Sequence, residues 1–337
     1  MKTPIKRNIF ILDDGKKGHL NQSQAVAQLI PEAHIHIVPI CYRTWPGRVL
    51  MNILCHAAWS TKLRKTYLKL CLKNFPLDFF LPHDKKIIIS AGAATEPVNY
   101  LLSTQETINI VVLKPLRYKK FDLIIPPQHD NPLKRKNVFS TTLALSSLNP
   151  SHTERCALEL RRKLQLGSTQ CASVFVGGNS RHFSMGFSHL EHILKELAQS
   201  PLITLITISR RTPPAVIEHI KNWQKIHKEK TYLVLEEGEN TVSGMLGLGT
   251  YIFITEDSVS MISEALNCHK KPFIIHVKKI RESKKILNFK KMLRERKLII
   301  DSRDFKQFKN DFLFLNLKDN PFEGEKDKIK ERLLEIL

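Results

Sequence analysis

The sequence predicts an α/β protein built from two doubly wound domains of the Rossmann type. Short apolar runs alternate along the chain with amphipathic stretches of helical period, which indicates βαβ units. The chain has 337 residues, and at roughly 100–200 residues per domain such a length favours two domains. Clusters of glycine, hydroxyl and charged residues directly follow several apolar runs, where open parallel sheets bind their ligands.

The first domain is expected to span residues 1–155. Five apolar runs in it are predicted strands, namely Asn8–Leu12, His34–Pro39, Lys86–Ser90, Asn109–Leu113 and Leu123–Ile125. Two amphipathic stretches, Asn21–Leu29 and Glu96–Leu102, are predicted helices.

The second domain is expected to span residues 168–320, after a helix over Thr153–Leu166 that Thr153 caps and a break at Gly167 and Ser168. Its predicted strands are Cys171–Val176, Pro201–Ser209, Thr231–Leu235, Tyr251–Thr255 and Pro272–His276. Its predicted helices are Pro213–Trp223, Val242–Leu246 and Ser258–Leu266. Residues 321–337 are expected to end in a closing helix over Asp327–Leu337.

The chain is strongly basic, with a formal net charge of +21 and a pI of about 9.7. Such a charge favours polyanionic partners, which include phosphorylated substrates, anionic lipid surfaces and nucleic acid. The sequence has no helix-turn-helix, no RNP-like aromatic pattern and no zinc module, so nucleic acid is the least favoured of the three.

The six cysteines form no C-x-x-C pair, which indicates free thiols in a reducing compartment and no structural zinc. No stretch approaches the roughly 20 apolar residues of a spanning helix, and the first residues do not resemble a secretory signal. We therefore expect a soluble, cytoplasmic protein without a metal or another cofactor. Peripheral attachment to the inner face of a membrane stays open.

The first of four polar clusters follows the strand that opens the second domain. Gly177 and Gly178 let the backbone approach a ligand, and with Asn179 and Ser180 they can form an anion-binding nest. An ordinary strand-to-helix turn that uses small residues is the alternative.

The second cluster, Ser209, Arg210, Arg211 and Thr212, lies between a predicted strand and a helix that opens with proline. Arginine binds phosphate through two parallel hydrogen bonds, so we expect Arg210 and Arg211 to hold a diphosphate. A solvated pair of charges is the alternative.

The third cluster runs from Glu256 to Glu264. Ser258 is the predicted helix cap, and Ser260 and Glu264 are four residues apart and so share a helix face. The serine hydroxyls suit a phosphate ligand and the Glu264 carboxylate suits ribose hydroxyls. The alternative is capping alone, with Glu256 and Asp257 stabilising the helix dipole.

The fourth cluster follows the first strand of the chain and consists of Asp14, Gly15, Lys16, Gly18, His19, Asn21 and Gln22. It lacks the P-loop spacing. A histidine beside an aspartate can act as a general base toward a polar acceptor, although the aspartate itself is a second candidate for the base. Gly92, after the third strand, is expected to border the same site. A flexible loop with a surface histidine is the alternative.

Together these clusters resemble the mitochondrial fission ELM family of plants and bacteria, whose members are described as glycosyltransferases. The resemblance rests on six stretches that run in order from Asp13 to Ala265, namely DDGKKGHLNQSQAVA, ISAGAATEPV, KKFDLIIPPQHD, VFVGGNSRHF, ISRRTPP and TEDSVSMISEA. It implies a GT-B fold, in which two Rossmann-like domains face a cleft. It also implies that the C-terminal domain binds the nucleotide sugar and that the N-terminal domain binds the acceptor.

Carried over by position, the resemblance assigns residues to each side. The implied donor side holds Gly177, Gly178, Asn179, Arg210, Ser258, Ser260 and Glu264. The implied acceptor side holds Gly18, His19 and Asn21. Two stretches depart from the family pattern: Leu113–Arg117 stands where members often have a QDPR-like stretch, and Cys268–Pro272 lacks the glycine of a common Gly-Lys-Pro turn.

A basic segment, residues 43–73, lies between the second and third predicted strands and contains no acidic residue. Its basic residues alternate with the bulky apolar residues Trp45, Leu50, Ile53, Trp59, Tyr67 and Leu70. This pattern is typical of an interfacial helix on an anionic membrane surface, which suits a glycolipid acceptor. An ordinary helix pair with solvated lysines is the alternative.

The sequence thus predicts a metal-independent, inverting glycosyltransferase that moves a sugar from a nucleotide-activated donor to an acceptor, with a lipid-linked acceptor as one class. A nucleotide-sugar 2-epimerase, which shares the two-domain layout, is the second hypothesis. A non-catalytic, membrane-associated adaptor with the same fold is the third.

Overall fold

The computed structural model describes residues 7–55, 60–73, 75–76, 85–148, 150–235, 239–308, 315–317 and 322–337. The chain divides into two compact units. The first unit comprises Met1–Ser147 and Phe322–Leu337, and the second comprises Leu148–Pro321. Each unit is built around one parallel β-sheet.

The strands are β1 (Arg7–Asp13), β2 (Ala33–Pro39), β3 (Cys41–Tyr42), β4 (Leu72–Lys73), β5 (Lys86–Ala91), β6 (Thr107–Val112), β7 (Leu123–Ile125), β8 (Cys171–Val176), β9 (Phe183–Ser184), β10 (Ile203–Ile208), β11 (Thr231–Leu233), β12 (Gly249–Thr255), β13 (Phe273–Ile275), β14 (Lys278–Lys279) and β15 (Ile300–Asp301). The helices are α1 (Lys17–Ala27), α2 (Trp45–Leu54), α3 (Thr61–Cys71), α4 (Glu96–Leu102), α5 (Pro150–Lys163), α6 (Ser188–Ala198), α7 (Pro214–Ile226), α8 (Glu239–Leu248), α9 (Val259–Asn267), α10 (Lys284–Glu295), α11 (Phe305–Phe308) and α12 (Glu323–Ile336).

The sheet of the first unit has the strand order β2-β1-β5-β6-β7, and every pairing in it is parallel. Helices cover both of its faces. On one face Ile11 packs with Val26 of α1 and Leu333 of α12, and on the other Ile88 packs with Leu68 of α3. Burial on both faces explains why these strands are continuous apolar runs in the sequence, without polar alternation.

The sheet of the second unit has the order β11-β10-β8-β12-β13-β15 and is also parallel throughout. Its core includes Val174 and Val176 of β8, packed with Leu194 of α6 and Ile220 of α7. The strand order places the carboxyl ends of β10, β8 and β12 side by side.

The predicted strands at Leu123–Ile125 and Cys171–Val176 and the predicted helix at Glu96–Leu102 are confirmed with the same bounds. The other predicted elements are present with ends that differ by up to four residues. Helices α6, α10 and α11 and the two-residue strands β3, β4, β9, β14 and β15 have no counterpart among the predicted elements. In the described part of the chain, no helix combines the length and the apolar character that crossing a membrane requires.

Helix α5 corrects the prediction that Thr153 caps a helix. The helix begins at Pro150, and Thr153 is buried in its first turn, where its hydroxyl donates to the carbonyl of Pro150 at 2.7 Å. Thr153 lies where α5 packs closely against α8, since a Cβ on Gly247 of α8 would lie 2.4 Å from the Thr153 carbonyl oxygen. The predicted boundary at residue 155 falls inside α5, and the helix lies with the second unit.

Candidate functional site

The first candidate site lies at the carboxyl end of β1, in the turn that leads into α1. Gly15 adopts φ +76°, and its N–H donates to Asp13 Oδ1 at 2.9 Å. The side chain of Asp14 is only 4% exposed. Both of its carboxylate oxygens lie 3.1 Å from His19 Nδ1, and Lys16 Nζ donates to Oδ2 at 2.9 Å. The turn therefore holds a carboxylate in contact with an imidazole and an ammonium.

These contacts set the protonation of the pair. Burial lowers the pKa of His19, and the positive charge of Lys16 lowers it further, while Asp14 offsets only part of the effect. Burial alone would raise the pKa of Asp14, but its hydrogen bond with Lys16 and the charges of His19 and Lys16 outweigh this and hold the pKa below its usual value. At neutral pH the site therefore contains an ionised carboxylate and a neutral imidazole. Because a carboxylate only accepts hydrogen bonds, we assign the proton of the imidazole to Nδ1, which leaves Nε2 as the basic atom.

The ring of His19 lies directly against Gly92, which follows β5. A Cβ on Gly92 would lie 2.4 Å from His19 Cε1. Gly92 also adopts φ +84°, a conformation that side-chain-bearing residues rarely accept. Since β1 and β5 are neighbouring parallel strands, the glycine at one strand end makes room for the histidine that follows the other. The prediction that Gly92 borders the His19 site agrees with this contact.

The fourth cluster extends into α1, which begins at Lys17, four residues before the predicted helix start at Asn21. Gly18, His19, Asn21 and Gln22 therefore lie in the first two turns of a helix. Gln22 is buried and donates to the carbonyl of Gly18 at 3.0 Å, while its Oε1 contacts no partner among the described residues. A Cβ on Gly15 or Gly18 would meet no atom within 4 Å, so the space beside this helix start is open.

In the second unit, the carboxyl ends of β8, β10 and β12 meet at Asp257. Its side chain is fully buried. One carboxylate oxygen accepts hydrogen bonds from the amide of Gly178 at 3.0 Å and from Arg211 Nη2 at 2.9 Å. The other accepts from the hydroxyl of Thr255 at 2.7 Å. One carboxylate thus joins the segments that follow three neighbouring strands.

The Gly177–Gly178 pair serves this junction, which corrects the prediction of an anion-binding nest. The amide of Gly177 donates to Thr255 Oγ1 at 2.8 Å and the amide of Gly178 donates to Asp257, so both donors are engaged. A Cβ on Gly177 would lie 2.2 Å from a carboxylate oxygen of Asp257, and one on Gly178 would lie 2.0 Å from the carbonyl oxygen of Arg211. The glycines are required for the close approach of protein groups.

The next two residues are also tied to the protein. The amide of Asn179 donates to the carbonyl of Arg211 at 3.0 Å, and its side-chain oxygen accepts from the amide of Met185 at 2.8 Å. The hydroxyl oxygen of Ser180 accepts from the amides of His182 and Phe183. These bonds fix the course of the chain from β8 to β9.

The two arginines after β10 have different surroundings. Arg211 donates to Asp257 and to the carbonyls of Gly178 and Asn179, so its guanidinium braces the junction. Arg210 is exposed, and no ion pair or hydrogen bond of its side chain is present among the described residues. That both arginines hold a diphosphate stays a prediction, and Arg210 is the stronger candidate because no protein group among the described residues engages its guanidinium.

Ser209 and Thr212 close the turn that carries these arginines. The hydroxyl of Thr212 donates to the carbonyl of Gly177 and accepts from the amide of Ser209 at 2.9 Å, and Thr212 is 6% exposed. The hydroxyl oxygen of Ser209 accepts from the amide of Arg211 at 3.2 Å. Both hydroxyls stabilise the turn, which corrects their prediction as ligand-binding groups.

Glu256 points to another part of the second unit. It is buried, accepts from the amide of Val277 at 3.0 Å, and pairs with the buried ammonium of Lys290 on α10 and with His276. Burial alone would raise the pKa of Glu256, but the hydrogen bonds from His276, Lys290 and Val277 outweigh it and lower the pKa to about 2. Glu256 is therefore a structural carboxylate, and its prediction as a donor-binding residue is corrected.

Helix α9 carries the remaining predicted donor residues. Ser258 is the N-cap residue, but its side chain makes no capping hydrogen bond, which corrects the predicted cap. Ser260 is exposed in the first turn, and Glu264 is half-buried one turn later. Among the predicted donor residues that follow β10 and β12, Arg210, Arg211 and Ser260 are therefore exposed, and Ser209, Ser258 and Glu264 are half-buried.

Sequence reasoning missed two features around these sites. The pairing of Lys290 and His276 with Glu256 has no local sequence signal, because the partners are separated by 34 and 20 positions. The buried Glu96 accepts from the amides of Leu116 and Arg117 at 2.9 Å, and so holds the loop where the family pattern is broken. Among the residues that the structure describes, no group of three or more His, Cys, Asp or Glu side chains could hold a metal ion.

Comparison with known proteins identifies a family and a fold. A family model described as Mitochondrial fission ELM1 matches residues 17–315. An uncharacterized protein of Rickettsia prowazekii (strain Madrid E) is 26% identical over 313 residues, which cover 80% of this chain and 83% of that protein.

Three solved structures of similar fold each span nearly the whole chain. UDP-GlcNAc 2-epimerase from Neisseria meningitidis, bound to UDP-GlcNAc, has a TM-score of 0.56 at 11% identity and covers 97% of this chain and 100% of its own. S. aureus MnaA with UDP has a TM-score of 0.55 at 12% identity, with coverages of 98% and 95%. MurG of Acinetobacter baumannii has a TM-score of 0.51 at 10% identity, with coverages of 98% and 99%. At these identities the likeness shows the fold alone, which is GT-B.

Proposed function

This chain belongs to the mitochondrial fission ELM1 family and has a GT-B fold, and from this premise we propose that it is a glycosyltransferase that uses a nucleotide-activated sugar. The observation that carries the proposal is the contact at the end of β1 between the buried carboxylate of Asp14 and the partly exposed imidazole of His19. A neutral histidine oriented by an ionised carboxylate is the arrangement that deprotonates a hydroxyl at neutral pH.

In the proposed reaction, His19 Nε2 takes the proton of the acceptor hydroxyl. The acceptor oxygen then forms a bond with the anomeric carbon of the donor sugar while the bond from that carbon to the nucleoside diphosphate breaks. Attack from the face opposite the leaving group inverts the anomeric centre. Asp14 keeps the imidazole in its orientation and stabilises the imidazolium that forms.

The leaving diphosphate needs positive charge, and we propose that Arg210 supplies it. Its exposed guanidinium follows β10, at the sheet edge where open α/β sheets bind ligands. The amides of the first turn of α9 add a partial positive charge in the same unit. The hydroxyls of Ser258 and Ser260 and the carboxylate of Glu264 are proposed to contact the nucleoside. We propose that no resident metal is required, because these groups can stabilise the leaving group themselves.

The proposed acceptor-binding groups are Gly15, Lys16, Gly18 and Asn21, beside the open space at the start of α1. We propose a lipid-linked acceptor, a class favoured by the exposed apolar and basic residues of α2 and α3 in the same unit.

Binding of the donor nucleotide is tested by thermal unfolding with UDP, GDP, ADP and CMP. A ligand at about 100 times its Kd should stabilise the protein by about 2.7 kcal/mol. His19→Ala should keep this stabilisation and lose transfer, while His192→Ala, which changes an exposed histidine of α6, should keep both. Absence of stabilisation by every nucleotide would remove the basis for the proposed donor site.

A nucleotide-sugar 2-epimerase is the second candidate, since several solved structures with this fold are UDP-GlcNAc 2-epimerases, with TM-scores up to 0.57. Proton NMR of the donor separates the two activities. An epimerase changes the sugar with no acceptor present, whereas a transferase leaves the intact donor unchanged until an acceptor is added. A non-catalytic adaptor would give neither change.

A further inference from the structure

Helix α2 is apolar on two opposite faces. Met51 and Cys55 are buried on the face that packs into the first unit. On the other face Trp45 is 76% exposed and Ile53 is 62% exposed, with Val49 between them at 38%. The spacing of four residues aligns these three side chains in one stripe. A surface helix normally presents polar residues to water, so packing within the chain does not explain the stripe.

Helix α3 repeats this arrangement. Tyr67 and Leu68 are buried, whereas Leu63 and Leu70, seven residues apart on one face, are 55% and 68% exposed. Trp59, which the sequence pattern also assigned to this surface, lies outside the described residues.

Three sets of contacts join these residues into one surface. β3 and β4 pair antiparallel directly before α2 and directly after α3, and the amide of Arg43 donates to the carbonyl of Cys71 at 2.9 Å. The start of α2, which carries Trp45, therefore lies beside the end of α3, which carries Leu70. The guanidinium of Arg117 donates to the carbonyl of Asn52 and so holds the neighbouring loop against the end of α2.

That loop adds a further apolar side chain to the surface. Leu116 is 71% exposed and directly precedes Arg117. The docking face is therefore defined as the exposed apolar residues Trp45, Val49, Leu50, Ile53, Leu63, Leu70 and Leu116.

The segment that carries most of the docking face has charged residues of one sign. The segment from residue 43 to residue 73 contains seven basic and no acidic residues, namely Arg43, Arg48, Lys62, Arg64, Lys65, Lys69 and Lys73. Arg43 and Arg64 donate to backbone carbonyls of the first unit. Arg48, Lys62 and Lys69 are exposed beside the apolar side chains.

We propose that the docking face binds the surface of an anionic lipid bilayer. Tryptophan with leucine and isoleucine can enter the boundary between headgroups and acyl chains, and the exposed basic residues can contact anionic headgroups. A second copy of the chain fits less well, because a two-fold interface would bring the basic rims together. Nucleic acid would satisfy the basic residues and leave the aliphatic stripe in water. The inference does not depend on the proposed catalytic activity.

The test measures sedimentation of the full-length protein with vesicles of phosphatidylcholine alone and with vesicles that contain about a third phosphatidylglycerol. The wild type should sediment with the anionic vesicles only. Two double variants, Trp45→Ser with Ile53→Ser and Lys62→Glu with Lys69→Glu, should each reduce binding at least about tenfold.

Matched controls lie in the second unit. Leu158 and Ile226 are 57% and 75% exposed, and their double change to serine should leave vesicle binding unchanged, as should Lys221→Glu with Lys225→Glu on α7. Failure of the wild type to sediment, or equal sedimentation of the docking-face variants, would overturn the proposal. The proposal would also be overturned if the wild type formed a dimer without vesicles and the docking-face variants were monomers, because the face would then bind a second copy of the chain. None of these changes touches His19 or Arg210, so nucleotide-dependent stabilisation reports separately on the proposed enzyme.

Discussion

His19 Nδ1 lies 3.1 Å from both carboxylate oxygens of Asp14, and this contact leaves Nε2 as the basic atom of the imidazole. Burial lowers the pKa of His19 below its ordinary value. The base acts only when neutral, so kcat/KM should rise with pH through this lowered pKa and reach its plateau by neutral pH. At acidic pH the imidazole is protonated and transfer should be lost.

Asp14→Asn tests the relationship directly. The carboxylate raises the pKa of His19, so its removal should move the acidic limb of the pH profile to lower pH. The plateau should fall on the order of 10²-fold, because the imidazolium loses its partner. A pH profile identical to that of the wild type would show that Asp14 does not act through His19.

Gly92→Ala should displace the histidine. The added Cβ would lie 2.4 Å from His19 Cε1, so the ring must move by about 1 Å to reach ordinary van der Waals contact, and a misplacement of about 1 Å can cost on the order of 10²-fold in rate. Nucleotide-dependent stabilisation should be unchanged. Gly167→Ala is the control, since Gly167 also has positive φ, at +55°, but no atom lies within 4 Å of its Cβ position. If both variants lose the same activity, backbone strain and not the His19 contact is responsible.

Arg210→Ala and Arg211→Ala should affect different measurements. Loss of Arg211 leaves the buried Asp257 carboxylate without its guanidinium and should lower the free energy of unfolding by about 1–3 kcal/mol. Loss of Arg210 should leave stability unchanged and weaken nucleotide binding by about tenfold to a hundredfold, since hydrogen bonds to charged groups contribute about 1.5–3 kcal/mol.

Urea unfolding and calorimetric titration of the nucleotide separate these effects. Arg155→Ala, an exposed arginine of α5, should change neither quantity. Nucleotide affinity that survives in Arg210→Ala would require another residue as the phosphate ligand.

His269→Gly should stabilise the protein. His269 has φ +61° directly after the cap of α9, and the amides of Lys270 and His269 donate to the carbonyls of Ala265 and Leu266, as in a Schellman motif. A side chain in this conformation costs about 1 kcal/mol, which glycine avoids. Urea unfolding should show a gain of that order.

His192→Gly is the matched variant for that change. It places glycine inside α6 and should lose about 1 kcal/mol. The same sign for both variants would contradict the assignment of strain to His269. The turn that follows α9 thus contains a histidine in the left-handed conformation.

The fold could be predicted largely from apolar runs. β8 is buried at every position. A continuous short apolar run of this kind is typical of a central strand that helices cover on both faces. The helical spacing of Leu190, Ile193, Leu194 and Leu197 would have predicted α6. The spacing of Ile286, Phe289 and Leu293 would have predicted α10 in the same way.

The sequence places the candidate residues at strand ends, but it does not show which groups their side chains contact. Strand ends identify where polar groups gather, but not whether a given donor meets a ligand or a protein group. Asp257 and Arg211 are 46 positions apart, and only the neighbouring positions of β10, β8 and β12 bring them together. The contact of His19 with Gly92 depends in the same way on the pairing of β1 with β5.

The central claim is tested most directly by nucleoside diphosphate release from a panel of nucleotide sugars that includes UDP-GlcNAc, with and without a bacterial lipid extract as the acceptor source. We expect release that depends on the extract, is lost in His19→Ala and is retained in His192→Ala. No release from any donor, or equal release by the wild type and His19→Ala, would contradict the proposed glycosyltransferase.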